Sequence, residues 1–133
     1  MEHKPRILVV DDEKIVCDMA RYYFAHEGYL VTTFTDPTRA LGAIEEERFD
    51  VMIVDLKMKE VDGMQLLEFI KARSPETKVI ILTAFATLET AMEAFHKQAF
   101  DYLTKPVRIE ELKASVMRAL ADQKQADEGK SGA

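Results

Sequence analysis

The sequence lacks the features of a disulfide-bonded, exported or membrane-spanning protein. Its single cysteine, Cys17, has no partner for an internal disulfide, which favours a reducing, cytoplasmic location. The longest apolar stretches, such as residues 7–10 and 79–82, are far shorter than the ~20 residues of a spanning helix. The first residues contain no apolar signal-peptide core. We therefore expect a protein without membrane association.

The chain also lacks an excess of positive charge. It has 24 acidic residues against 18 lysines and arginines, which gives a formal net charge of −6. Because nucleic-acid affinity comes mainly from cations that neutralise phosphates, direct nucleic-acid binding is not expected, and a role in transcription requires another domain. The remaining composition, 47% hydrophobic and 32% charged over 133 residues, is typical of one soluble globular domain.

Two sequence patterns alternate along the chain. Short runs that are apolar at nearly every position predict strands buried on both faces, and they cover residues 7–10, 30–34, 51–54, 79–82 and 100–103. Helical periodicity and capping residues mark the intervals 13–27, 36–47, 64–72, a segment capped by Thr87, and a last segment from Ile109 to Leu120. This order predicts an open, doubly wound α/β fold, with a five-stranded parallel sheet and helices on both faces.

Apolar residues recur at helical spacing in the predicted helices. In the first helix they are Ile15, Met19 and Tyr22 or Tyr23, and in the helix after Thr87 they are Leu88, Ala91, Met92 and Phe95. From about Gln123 the residues are mostly polar, small or charged. Residues 124–133 are therefore expected to form a flexible tail or the start of a linker.

Chemically active side chains follow four of the predicted strands. In an open α/β sheet, ligands bind beyond the carboxyl ends of the strands. At these positions lie Asp11, Asp12 and Glu13 after the first strand, Asp55 after the third, Thr83 after the fourth and Lys105 after the fifth. Helix capping accounts for one or two of the first three acids, since acids favour a helix N-terminus, but it does not account for Asp55.

This combination of groups indicates phosphoryl chemistry. Carboxylates at one edge repel one another unless they share a proton or a cation, and oxygen ligands without His or Cys favour Mg²⁺. Taken singly, Thr83 is a strand-end hydroxyl and Lys105 a solvated surface charge. Together they can hold the oxygens of a phosphoryl group while a carboxylate acts as the nucleophile and forms an acyl phosphate.

Four motifs, in order, resemble the receiver domain of two-component response regulators, a family that includes CheY. They are ILVVDDE at residues 7–13, VDLKM at residues 54–58 followed by Asp62-Gly63, ILTA at residues 81–84, and DYLTKP at residues 101–106. The resemblance covers residues 4–123, which are therefore expected to form one receiver domain. It implies the flavodoxin-like (βα)5 fold with strand order 2-1-3-4-5.

The resemblance implies a phosphoacceptor and a metal site. Asp55 is implied to take a phosphoryl group from a sensor histidine kinase or a phosphotransfer protein. Mg²⁺, with Mn²⁺ as an alternative ion, is implied to bind the side chains of Asp12 and Asp55, Asp11 through water, and the backbone carbonyl of Lys57. Such a receiver assists its own phosphotransfer and dephosphorylation and is not a turnover enzyme.

The resemblance also implies a conformational switch. Thr83 and Lys105 are implied to contact the phosphoryl group, and the Lys105-Pro106 bond is implied to be cis. Tyr102 matches the family's switch aromatic, which turns inward as Thr83 moves toward the phosphate. From the residues alone, Tyr102 is equally an ordinary half-buried strand residue, and Gly63 is a glycine that permits a tight turn.

The implied output is transcriptional. Residues 83–91 resemble receivers of NtrC-type regulators, which usually precede an ATPase module and a DNA-binding domain. We therefore expect a C-terminal output domain, and a homodimer through the face formed by the fourth helix, fifth strand and fifth helix. Lys59 stands where a proline is frequent and Gln98 where a glycine often precedes the last strand, which puts the local shape of both loops in doubt.

Three alternative functions remain open at this point. A haloacid-dehalogenase-type phosphohydrolase carries a second acid two residues after its nucleophile, whereas Lys57 occupies that position here. A flavin or dinucleotide binder requires a glycine-rich loop after the first strand, where this chain has three acids. A receiver that acts only as an unphosphorylated scaffold would have no use for the complete set of acids, Thr83 and Lys105.

Overall fold

The structure is a computed structural model that describes residues 4–131, with side chains described for residues 4–123. Strands and helices alternate five times. The strands are β1 Arg6–Val10, β2 Leu30–Phe34, β3 Val51–Val54, β4 Lys78–Thr83 and β5 Asp101–Thr104. The helices are α1 Lys14–His26, α2 Pro37–Glu46, α3 Gly63–Arg73, α4 Leu88–His96 and α5 Ile109–Ser131. The predicted α/β alternation is confirmed.

The five strands form one parallel sheet in the order β2-β1-β3-β4-β5, as the sequence resemblance implies. Alternate residues of each strand face opposite sides, so the sheet has two apolar cores. On one side Leu8 and Met52 pack with residues of α2, α3 and α4, and on the other Ile7 and Ile53 pack with residues of α1 and α5. Strands covered on both faces explain the continuous apolar runs in the sequence.

The N-termini of α2, α3 and α4 are fixed by local side-chain capping. Asp36 accepts a hydrogen bond from Thr38 N–H, with Pro37 at the first helical position of α2. Asp62 caps α3 in the same way, and Thr87 and Thr90 form a reciprocal capping box at the start of α4. These caps place the loops that precede α3 and α4 at the carboxyl edge of the sheet.

The apolar residues that mark α1 and α4 in the sequence largely face solvent. Ile15 and Tyr22 of α1 are 75% and 70% exposed, and Leu88 of α4 is 76% exposed. The fully buried residues of these helices are Cys17, Ala20 and Phe24 in α1 and Ala94 in α4. Except for Phe24, these side chains are small and let each helix approach the sheet closely, whereas periodicity alone does not indicate which apolar residues are buried.

The helix α5 continues beyond Gln123 to Ser131, through most of the stretch predicted to be a flexible tail or the start of a linker. Lys, Gln, Ala and Glu, which are good helix formers, occupy much of that stretch and favour continued helix. Gly132 and Ala133 lie outside the described residues. Among residues 4–131, no helix has the length and apolar character needed to span a membrane.

Buried polar side chains at the amino edge of the sheet are hydrogen bonded to the backbone. Asp50 Oδ2 accepts from Arg6 N–H at 2.8 Å, and Thr77 Oγ1 donates to the Phe49 carbonyl at 2.8 Å. Gln123 Nε2 donates to the Glu76 carbonyl at 3.0 Å. We call Asp50, Thr77 and Gln123 the amino-edge network; it joins the starts of several strands to α5.

The turn between α4 and β5 lies at the same edge. Gln98 has a φ of +73°, in the left-handed region that favours glycine. The turn therefore keeps a glycine-like conformation although the residue is glutamine. The sequence left the shape of this turn in doubt. The structure shows the glycine-like conformation, which costs some backbone strain at Gln98.

Candidate functional site

Three carboxylates lie at the carboxyl edge, where the sequence predicts them. Asp11 follows β1 and Asp55 follows β3, and these strands are neighbours in register, with Val10 opposite Val54. Oxygen atoms of Asp11, Asp12 and Asp55 lie within 4.8 Å of one another. Asp11 and Asp55 are buried and Asp12 is exposed. We call these three residues the acidic cluster.

The acidic cluster has the donors that a divalent cation requires. Asp11 Oδ2 is a buried oxygen without a well-aligned hydrogen-bond partner among the described residues, although Lys105 Nζ lies 2.8 Å away. Burying a carboxylate without full compensation is costly, and a cation removes that cost. All three ligand groups are hard oxygen donors, which suit Mg²⁺ or Mn²⁺. The residues present therefore fit the expected metal.

Lys105 lies over this cluster. It comes directly after β5, and its bond to Pro106 is cis, as the resemblance implies. Its Nζ donates to Asp55 Oδ2 at 3.2 Å and to Glu13 Oε1 at 2.7 Å, in addition to the ion pair with Asp11. The Lys105 side chain is only 10% exposed. One cation therefore balances part of the negative charge of the site in the absence of metal.

The protonation of these groups follows from burial and mutual charge. Burial raises the pKa of Asp11 to about 6, against the lowering effect of its contacts with Lys105 and the Glu13 N–H. Burial likewise raises the pKa of Asp55, although Lys105 opposes the shift. Burial disfavours the charged form of Lys105, but the surrounding acids outweigh it and raise the pKa of Lys105. Without a bound cation, Asp11 and Asp55 therefore take up protons more readily than exposed aspartates do.

The Thr83 hydroxyl is buried beside the site at the end of β4. Its Oγ1 accepts a hydrogen bond from Phe85 N–H at 3.1 Å. This bond leaves the Thr83 hydroxyl proton available to donate, because a hydroxyl can accept and donate at once. The structure thus places Thr83 at the expected strand end.

The switch candidate Tyr102 is directed toward α4. Its hydroxyl lies 2.6 Å from Thr90 Oγ1, and its ring centroid is 6.5 Å from that of Phe95. Thr90 also belongs to the capping box of α4, so Tyr102 is linked to the start of that helix. Sequence reasoning missed Thr90, and the only signal for it was the Thr87-x-x-Thr90 spacing.

Gly63 and the loop after Asp55 shape the site from below. A Cβ atom at Gly63 would lie 2.3 Å from the Asp55 carbonyl oxygen and 2.5 Å from Leu56 Cα. Gly63 is therefore required for close approach of two backbone segments, and it does not have the positive φ of a tight glycine turn. Lys57 N–H donates to Asp55 Oδ1 at 3.2 Å, while the role of the Lys57 carbonyl stays a prediction.

The hydrogen bond from Lys105 to Glu13 is a second contact that the sequence does not reveal. Glu13 is predicted from the sequence to be a helix-capping acid, yet it occupies the N-cap position of α1 without a side-chain capping bond.

Cys17 lies on α1 close to the acidic cluster. Its Sγ is 3.4 Å from the Asp11 carbonyl, and burial raises its thiol pKa to about 11. The low reactivity of such a thiol agrees with the structural role expected for Cys17.

Comparison with known proteins gives a consistent result. Residues 7–117 match the family described as the response regulator receiver domain. The transcriptional regulatory protein ZraR of Escherichia coli K12 is 39% identical over 115 residues, which cover 86% of this chain and 26% of ZraR. The chain thus spans about a quarter of the length of this curated relative.

Solved structures are similar over nearly the whole fold. A CheY-like response regulator receiver domain protein from Methanospirillum hungatei JF-1 has a TM-score of 0.90 at 30% identity, covering 93% of this chain and 99% of that one. The beryllofluoride-activated NtrC4 receiver domain dimer has a TM-score of 0.84 at 32% identity, covering 89% of this chain and 98% of that one.

Proposed function

The chain belongs to the response regulator receiver domain family of two-component systems, and on that premise we propose that Asp55 is its phosphoacceptor. The observation that carries the proposal is the position of Asp55, which is buried, lies within 4.8 Å of the carboxylate oxygens of Asp11 and Asp12, and accepts a hydrogen bond from Lys105 at 3.2 Å. Relatives such as ZraR are transcriptional regulators, and we propose that phosphorylation here controls transcription through a C-terminal output domain.

The proposed reaction is transfer of a phosphoryl group to a carboxylate. An Asp55 oxygen attacks phosphorus, and the new P–O bond forms as the P–N bond of a kinase phosphohistidine breaks. The imidazole nitrogen leaves with the P–N electron pair and is protonated from solvent. Lys105 and the Thr83 hydroxyl contact the transferred oxygens and stabilise the charge that develops on them.

The proposed metal ligands are Asp12 and Asp55, with Asp11 through water and Lys57 through its carbonyl. A divalent cation bound there supplies charge neutralisation that lets an anionic phosphodonor approach the carboxylates. The support for this assignment is the 4.8 Å grouping of the three carboxylates and the poorly compensated Asp11 oxygen. Members of this family are regulatory phosphoacceptors. We propose that this domain assists its own phosphorylation and the hydrolysis of its acyl phosphate, without turning over an external substrate.

The proposed switch runs through Thr83 and Tyr102. The phosphoryl group carries about −1.5 to −2 charge near pH 7 in place of the single negative charge of the Asp55 carboxylate, and its oxygens attract the Thr83 hydroxyl toward Asp55. We propose that Tyr102 then exchanges its hydrogen bond to Thr90 for an inward position. The phosphoryl group would thereby bias an existing equilibrium between two arrangements of the face formed by α4, β5 and α5.

The proposed partners are a sensor histidine kinase or phosphotransfer protein, a second copy of this chain, and the output domain, all in the cytoplasm. The dimer proposal is supported by exposed apolar side chains on or beside α4: Phe85, Leu88, Met92 and Phe95 are 50% to 76% exposed. The NtrC4 receiver forms a dimer when activated by beryllofluoride. We assign residues 4–123 to the receiver domain, with the linker beginning within residues 124–133.

The test is direct phosphorylation. Wild type incubated with Mg²⁺ and acetyl phosphate should gain the mass of one phosphoryl group, and Asp55→Asn should gain none. Asp36→Asn is the matched control, because it changes an exposed acid that only caps α2. Equal labelling of Asp55→Asn, or no labelling of wild type, would contradict the proposal. Continuous phosphate release from a generic phosphate ester would instead indicate a phosphohydrolase.

A further inference from the structure

The acid Glu13 lies outside the set of residues assigned to the site so far, but it contacts the site. Its Oε1 is 2.7 Å from Lys105 Nζ, which is the shortest of the three acidic contacts of that ammonium group. Glu13 and Lys105 are separated by 92 residues in the sequence. The pair therefore joins the loop after β1 to the loop after β5 directly above Asp55.

The local role of Glu13 does not explain this contact. Glu13 is the N-cap residue of α1, a position where a short polar side chain normally accepts a hydrogen bond from the first turn. Here the side chain makes no such bond and extends to Lys105. The capping capacity of this position is left unused, and the Glu13 carboxylate serves the site.

The position of Glu13 also separates it from the acidic cluster. The Glu13 side chain is 54% exposed, whereas the Asp11 and Asp55 side chains are 2% and 6% exposed. A cation that binds the acidic cluster competes with Lys105 for Asp11 and Asp55. Glu13 lies beyond that cluster, so its hold on Lys105 persists when the cluster is occupied.

We propose that Glu13 is a positioning residue that holds the Lys105 ammonium at the rim of the site and so weakens its hold on a phosphoryl group at Asp55. This inference rests on the proposed phosphoacceptor role of Asp55. An ammonium group has three N–H donors, and each donor given to Glu13 is withdrawn from the transferred oxygens. Glu13 thereby limits both the affinity of the site for the phosphoryl group and the lifetime of the acyl phosphate.

The experiment measures the affinity for beryllofluoride, a stable mimic of the phosphoryl group, in saturating Mg²⁺ by titration of backbone amide NMR signals. Glu13→Gln should bind about two- to five-fold more tightly than wild type, as expected for loss of one solvent-exposed ion pair. Its acyl phosphate should hydrolyse more slowly by a similar factor. The affinity for Mg²⁺ alone should be unchanged or weaker, because a released Lys105 competes more strongly for Asp11 and Asp55.

Tighter beryllofluoride binding together with an unchanged or weaker Mg²⁺ affinity separates positioning from damage to the site, since damage weakens both affinities. Glu13→Asp keeps the charge but is one methylene shorter, so it should lose the contact and change the beryllofluoride affinity in the same direction as Glu13→Gln. Glu45→Gln is the matched control, because the Glu45 side chain is also 54% exposed and pairs with Arg73 at 3.0 Å, between α2 and α3. It should match wild type.

Unchanged or weaker beryllofluoride binding by Glu13→Gln would overturn the inference, as would wild-type behaviour of Glu13→Asp, which would show that charge alone matters. Failure of the proposed function gives a different result. In that case wild type itself shows no beryllofluoride-dependent shift that Asp55→Asn removes.

Discussion

The sheet buries polar side chains at both edges, but their charge and hydrogen bonds are satisfied at the amino edge and only partly compensated at the carboxyl edge. In the amino-edge network, Asp50, Thr77 and Gln123 are hydrogen bonded to backbone groups that the fold fixes in place. At the carboxyl edge, the carboxylates of the acidic cluster face one another and share one lysine. The amino edge contributes to stability, whereas the carboxyl edge gives up stability at the place where we propose that a cation and a phosphoryl group bind.

The largest expected effect is a loss of Mg²⁺ binding at the carboxyl edge. Asp11→Asn should weaken Mg²⁺ binding by about 10- to 100-fold, because Asp11 is expected to orient a metal-bound water. Phosphorylation by acetyl phosphate at low Mg²⁺ should fall accordingly. Mg²⁺ titration followed by NMR and by phosphoprotein mass checks both. The counterpart at the other edge, Asp50→Asn, should lower stability and leave phosphorylation unchanged; equal loss of phosphorylation in both variants would remove the contrast.

The same substitution has a pH signature. The pKa of Asp11 is about 6 in the folded protein, against an ordinary value of 3.8, so folding favours its protonated form. The free energy of unfolding of metal-free wild type should therefore fall as pH rises from about 4 to about 6, where only the unfolded chain is ionised, and stay reduced above that range. Asp11→Asn should show a weaker fall and a higher Tm at pH 7 without metal. Parallel Tm profiles of the two proteins would contradict this.

The second effect concerns the close approach that positions Asp55. Gly63→Ala places a Cβ 2.3 Å from the Asp55 carbonyl oxygen, so the backbone must shift. We expect a loss of about 1–3 kcal/mol in the free energy of unfolding, measured by urea denaturation, together with slower phosphorylation. Gly42→Ala in α2 is the control, because no heavy atom outside the adjacent backbone of its own helix lies within 4 Å of its added Cβ. Helix propensity predicts that this control is neutral or stabilised.

The third effect breaks the amino edge alone. Thr77→Val removes the hydroxyl that donates to the Phe49 carbonyl in a fully buried position. We expect a loss of about 1–3 kcal/mol in the free energy of unfolding, since a buried acceptor loses its partner. The rate of phosphorylation should match wild type under native conditions. Thr77→Ser keeps the hydroxyl and should recover most of the stability; a variant that folds stably but phosphorylates slowly would show that the two edges are coupled.

The smallest expected effect is a gain in stability at the amino edge. Gln98→Gly relieves a left-handed backbone conformation with a φ of +73°. We expect a gain of about 0.5–1 kcal/mol, because the strain relieved exceeds the chain entropy that glycine adds when unfolded. Urea denaturation measures the gain, and phosphorylation should not change. Gln98→Ala, which cannot relieve the strain, should show no comparable gain.

Much of the fold and site could be predicted because the information is local. A strand buried on both faces appears as a continuous apolar run, and the carboxyl ends of parallel strands must share one edge. Topology therefore places Asp11 and Asp55 at the same edge, while the strand order that makes β1 and β3 neighbours follows from the family resemblance. The helix starts at Asp36 and Thr87 are equally local, since capping depends on residues within one turn.

What could not be predicted depends on packing between distant segments. The periodicity of α1 identifies Ile15, Met19 and Tyr22 or Tyr23 as an apolar face. Met19 and Tyr23 do pack against the core, but Ile15 and Tyr22 are exposed, and the fully buried positions are Cys17, Ala20 and Phe24. The hydrogen bond between Glu13 and Lys105 depends on side-chain geometry across two loops. The glycine at position 63 indicates that a side chain is not tolerated there, but the sequence does not show whether the reason is a positive φ in a turn or the close approach of another backbone segment.

The position of Cys17 has a practical consequence for observing motion near the site. It is the only thiol in the chain, is 2% exposed, and lies one helical turn behind the acids. A thiol reagent reaches it only when α1 separates from the sheet, so its labelling rate counts local opening events. Because the high thiol pKa suppresses reaction in the closed state, this cysteine is a native reporter of how often α1 opens beside the acidic cluster.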